Sequence, residues 1–127
     1  MSKVNIIRMD KISTSPWDGK LITNETFSMR YEYKGKIKYL FVPRNSTFNG
    51  ASIPILQSDY NPKYLRAALV HDYLCKGLNK ARKDGKMYPY SVREISCLFG
   101  AILREDDNGR IKSWLMEKAV YVYKTIA

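Results

Sequence analysis

This chain has little from which to build a metal or redox centre. Among its 127 residues are one histidine and two cysteines, and Cys75 and Cys97 stand in no CxxC spacing, too few ligands for a structural zinc site. Both cysteines sit inside apolar helical patterns, where a buried free thiol is the expectation. No Walker-type P-loop, dinucleotide-binding GxGxxG or HExxH run occurs, which removes the commonest nucleotide and zinc-hydrolase signatures. No apolar stretch approaches the ~20 residues of a membrane span. The segment Met1 to Asp10 also lacks the apolar run of a signal peptide, so the expected compartment is the cytoplasm. Repeats, low-complexity tracts and long linkers are missing as well. One domain over residues 1–127 is the economical reading, large enough to bury roughly two-thirds of its unfolded surface.

Acid is scarce too. Twelve Asp and Glu stand against twenty-two Lys and Arg, a net charge of +10 and a pI near 9.6. Such a field attracts nucleic acid, anionic membrane surfaces or acidic proteins.

What is present falls into two halves. The first 44 residues read as strands. Val4 to Met9 is a short apolar run, and Ser15-Pro16-Trp17-Asp18-Gly19-Lys20 is a turn by its Pro and Asp-Gly. Phe27 to Tyr33 alternates, with Phe27, Met29, Tyr31 and Tyr33 on one side. Lys34-Gly35-Lys36 then connects it to Ile37 to Val42, which makes a hairpin, and Pro43 ends the second strand. From Arg44 to Asn61 there is no periodicity, and Asn45 to Pro54 is rich in turn formers, the mark of a long ordered loop.

The second half reads as helices. Pro62 opens one of about 14 residues, Pro62 to Cys75, apolar almost all round and stopped before Gly77. A helix of that kind is normally surrounded by protein, yet this one carries the only histidine, His71, followed by Asp72. Lys76 to Tyr90 then reads as a mobile basic loop. Lys76, Lys80, Arg82, Lys83 and Lys86 face a lone Asp84 there, with Tyr88 and Tyr90 beside them, a composition suited to an anionic partner. Ser91-Val92-Arg93-Glu94 is a capping box, and Val92, Ile95, Leu98, Phe99, Ile102 and Leu103 continue at helical spacing to Asp106-Asp107-Asn108-Gly109. The last helix, from about Arg110, puts Ile111, Trp114, Leu115, Ala119, Val122 and Ile126 on one stripe, expected to face the core. Strands followed by helices predict an α+β fold, a small antiparallel sheet packed with about three helices.

For chemistry, the residues to weigh are His71 and Asp72. With Ser52 they supply the residue types of a hydrolase triad, but neighbouring helical side chains diverge by ~100°, so Asp72 cannot easily sit behind the His71 ring. The same divergence works against one metal ion held by both, and the preceding loop offers only Ser46, Thr47, Asn49 and Ser52. No metal site and no cofactor is expected. The remaining reading is structural: Asp72 accepts backbone N–H bonds from the loop around Gly50 and Ser52, pinning it to the helix, while His71 bonds a neighbouring carbonyl.

Three runs carry a family likeness: Val42-Pro43, then Thr47-Phe48-Asn49-Gly50-Ala51-Ser52-Ile53-Pro54, then Tyr64-Leu65-Arg66-Ala67-Ala68-Leu69-Val70-His71-Asp72-Tyr73-Leu74. They resemble the domain-of-unknown-function 1353 family, a group of small tailed-phage and prophage proteins. Its members read VP...TD.ASIP, then a YxxAAxxHDYLY helix, then a helix containing AD..F, which falls here on Ile95-Ser96-Cys97-Leu98-Phe99. The resemblance covers about residues 37 to 122. It departs at two positions, where Asn49 and Ser96 stand in place of aspartates. Relatives would gather three carboxylates and a histidine, a set suited to metal binding or acid–base work, of which this chain keeps His71 and Asp72. Asn49 and Ser96 can still hydrogen-bond, so the implied structural polar cluster is Asn49, Ser52, His71, Asp72 and Ser96.

The resulting expectation is a phage-encoded, non-enzymatic accessory protein, a small virion component or an infection-stage factor. It would act in the host cytoplasm or be carried in the virion. Its basic surface would meet nucleic acid, an acidic protein or other phage proteins, with no membrane partner. The alternative is a hydrolase acting on cell wall or phosphoester, with His71 as general base and Asp72 and Asn49 positioning substrate.

Overall fold

A computed structural model describes residues 4–49 and 62–126, positions 62 and 123–126 as backbone only. The fold is α+β, with strands β1 Val4–Met9, β2 Thr14–Trp17, β3 Lys20–Thr23, β4 Phe27–Tyr33, β5 Lys36–Val42 and β6 Thr47–Phe48, then helices α1 Pro62–Lys83, α2 Val92–Glu105 and α3 Arg110–Ile126. The expected single sheet is two: antiparallel sheets of three strands, ordered β1-β4-β5 and β2-β3-β6. The second escaped the sequence because its strands are short and β6 has only two residues, too few to show alternation. Both hairpins turn in two residues. Asp18-Gly19 and Lys34-Gly35 all take positive φ, the backbone that matches the twist of the flanking strands.

Alternation in β4 buries Phe27, Met29, Tyr31 and Tyr33. In β5 the inner face holds Leu40 and Val42, while Ile37, Tyr39 and Phe41 remain exposed on the other. Helix α2 covers the inner face and is itself covered by α1 and α3, so every residue from Glu94 to Leu103 is buried. The centre of the molecule is therefore α2 rather than α1.

Two expectations about helices are corrected. Helix α1 does not stop at Cys75; it runs through Gly77 to Lys83, so the first half of the supposed mobile basic loop is helix. A mid-helix glycine costs about 1 kcal/mol relative to alanine, but here a Cβ would overlap the Tyr88 ring that packs over position 77. The true stop is Gly85, at φ +66°. Lys86 N–H donates to the Ala81 carbonyl at 2.8 Å and Gly85 N–H to Arg82 at 3.3 Å, the two bonds of a Schellman motif. In α3 the predicted core stripe faces outward. Ile111, Trp114, Leu115 and Val122 are exposed, and the face against α2 is Ser113, Met116, Glu117 and Val120. Periodicity shows which residues share a face, not which face has a neighbour, and Gly100 of α2 leaves the room that Glu117 fills.

Candidate anion-binding site

Helix geometry gathers the basic residues. Lys76, Lys80 and Lys83 stand at i, i+4 and i+7, within about 60° of one another on α1; Arg82 lies further round, and Lys86 follows the Schellman turn. All five are exposed. Cations in a last turn also favour the negative end of the helix dipole, so the charge that suits a ligand suits the helix as well.

Beside this face runs a groove of ≈ 390 Å³ between α1 and the β6 edge. Ser46, Thr47, Asp72, Lys76, Lys80 and Tyr88 are among its lining residues. Lys76 Nζ donates to the Thr47 carbonyl at 2.9 Å and lies 2.9 Å from Asp72 Oδ2. The contact with the carboxylate is an ion pair off the hydrogen-bond angles, since Oδ2, a buried atom, makes no hydrogen bond among the described residues. Among the described residues, the tie between loop and helix therefore runs from Lys76 to Thr47, with Asp72 balancing its charge. The Asp72 side chain is 34% exposed, less costly to keep ionised than a buried carboxylate. Burial pushes the Tyr88 hydroxyl up to about 12, with Tyr73 adding to the shift, so it stays neutral at the groove wall.

Of the residues expected to form one polar cluster, Asp72 and Ser96 line different cavities. The His71 ring packs against Phe99 of α2 at 5.1 Å, tilted, with Nε2 3.5 Å from Cys75 Sγ, while Asp72 turns to the groove. Asn49 is exposed at the end of β6. Ser96 is buried, donates to the Val92 carbonyl at 2.9 Å, and lines a separate small cavity with Tyr33, Cys97 and Glu117. Gly50 and Ser52 lie outside the described residues. Among the described residues no three His, Cys, Asp or Glu side chains converge as metal ligands.

Sequence reasoning missed the polar cluster that the core does hold. Ser91 caps α2 by accepting from the Glu94 N–H at 3.1 Å, but the Glu94 side chain does not complete the capping box. It is 3% exposed and accepts from Tyr31 Oη at 2.8 Å and from Lys38 Nζ at 2.9 Å on each oxygen. Burial, then the Glu94 carboxylate, drives the Tyr31 hydroxyl far above its usual range. The strand pattern held the clue: Lys38 continues the inward face of Leu40 and Val42, an inward charge that also discourages pairing at an edge strand. Arg66 was missed as well. It donates to both oxygens of Asp106 and, at 2.8 Å, to the Asp10 carbonyl, joining α1 to the end of α2 and the β1 exit.

A family profile described as "Protein of unknown function (DUF1353)" matches residues 26–120, which takes in four of the described elements from β4 to β6 and α1, all of α2, and most of α3. The chain belongs to the DUF1353 family. No curated protein and no solved structure matches it. The DUF1353 match spans both the Glu94 cluster and the α1 groove, and its description assigns neither a role.

Proposed function

We propose that this DUF1353 protein is a phage-encoded, non-enzymatic accessory factor that binds an anionic partner through the C-terminal half of α1. The observation that carries the reading is the row Lys76, Lys80 and Lys83 on one exposed helical face, beside a groove with hydroxyl and tyrosine side chains. A helix holds such a row in fixed register, which suits the repeating charges of a polyanion. Tyr73 and Tyr88 on the groove wall offer rings against which a base could stack. Nucleic acid is accordingly the first partner to test and an acidic protein the second. The phage assignment, as a virion component or an infection-stage factor in the host cytoplasm, rests on the motif resemblance and is tested by mass spectrometry of purified particles.

The rival hydrolase needs His71 and Asp72 to serve one substrate, and their side chains enter different surroundings. No observation favours it over binding. The direct test of the proposal is a salt titration of DNA and RNA affinity. Binding through this face predicts log affinity falling linearly with log salt, and affinity no better than that of an unrelated protein of equal charge contradicts it.

A further inference from the structure

We propose that the outward face of α3 docks on an anionic phospholipid membrane, the helix lying flat among the headgroups. Ile111, Trp114, Leu115 and Val122 are 78%, 43%, 50% and 53% exposed and fall within an arc of about 100°. Scattered apolar residues on a surface need no explanation, but a contiguous stripe on one helix does. Lys118 stands inside the arc and Arg110 at one border; Lys112, at the other, donates to Tyr64 Oη of α1, and Glu105 and Asp107 share a groove with Arg110 and Trp114. The helix has a single acid, Glu117, buried on the opposite face. Lys118 Nζ lies over the Trp114 ring, 6.0 Å from its centroid, so the ammonium sits against the apolar stripe itself. A basic amphipathic helix with a lysine and an indole on its apolar stripe is the pattern of a helix lying on a membrane surface.

Charge complementarity selects the occupant. A second copy would bring +10 against +10 and set these cations against their own kind. A helical protein partner would have to supply acids opposite both Arg110 and Lys118, which a plane of anionic headgroups meets at once. No helix among the described residues is long and apolar enough to cross a membrane, and lying on one requires only this face.

The experiment uses Trp17→Phe, a change at an exposed strand residue, which leaves Trp114 as the sole tryptophan. Vesicles of phosphatidylcholine mixed with phosphatidylglycerol should shift Trp114 emission to the blue and sediment with the protein; pure phosphatidylcholine should do neither. Adding Leu115→Glu should weaken binding at least about tenfold with the circular dichroism and Tm unchanged, whereas Lys80→Glu/Lys83→Glu should leave the Trp114 shift in place. Identical emission with and without the mixed vesicles overturns the proposal, as does parental binding by Leu115→Glu or loss of the shift in Lys80→Glu/Lys83→Glu. A dimer in sedimentation that Leu115→Glu splits assigns the face to a second copy and overturns it equally.

Discussion

Asp72 on α1 and Glu94 on α2 are each a carboxylate 2.9 Å from a lysine, and they do opposite things. Glu94 is buried and engaged on both oxygens by Lys38 and Tyr31, so it locks α2 to the sheet. Asp72 is a third exposed, its lysine shared with a loop carbonyl, so it trims the charge of an open groove. Burial, not the presence of an ion pair, separates the part of the molecule that holds the fold from the part available to a partner.

Removing the buried acid should break this contrast most sharply. Glu94→Ala removes the acceptor that Lys38 and the Tyr31 hydroxyl share, and the expected loss is about 3 kcal/mol in denaturant unfolding, with polyanion affinity unchanged in the molecules that remain folded. Glu117 sharpens the point because it is buried and its partners, Cys97 and Arg104, only partly offset that burial. Its Oε1 makes no hydrogen bond among the described residues, Arg104 is 3.8 Å away, and burial raises its pKa above 4.5. A raised carboxyl contributes stability that is present below the unfolded value and lost as pH rises through the folded one. Glu117→Gln should therefore match the parent at low pH and melt above it once the pH exceeds the folded pKa; a Tm difference that does not grow with pH rules this out. The smallest effect is expected from Asp72→Ala. A partly exposed i, i+4 pair is worth about 1 kcal/mol or less, so thermal melting should move little, while affinity for a polyanion should rise as a negative charge leaves the groove.

The fold class, the β4–β5 hairpin and the α2 core stripe were legible because each rests on strong periodicity and local turn chemistry. Helix α1 was cut short because Gly77 reads as a stop until Tyr88 is placed over it. The outward turn of α3 was hidden for a related reason: an apolar stripe does not announce whether a neighbour covers it. For the site, the sequence located the basic residues but spread them along a loop, where the structure has the last turns of α1. Glu94 was read as a cap from its place three residues after Ser91. Only the long-range pairing with Lys38, 56 positions away, gives it a different role. Such pairings are set by how the sheet and α2 meet, which no local window contains.

The central claim is that the exposed row on α1 binds and the buried network does not. It is tested most directly by the double variant Lys80→Glu/Lys83→Glu, measured for Tm and for DNA affinity at several salt concentrations. The account predicts a Tm lowered only slightly by the charge reversal at the C-terminus of α1, a large loss of affinity and a shallower salt slope by about two counterions. Parental affinity with the same slope would contradict it.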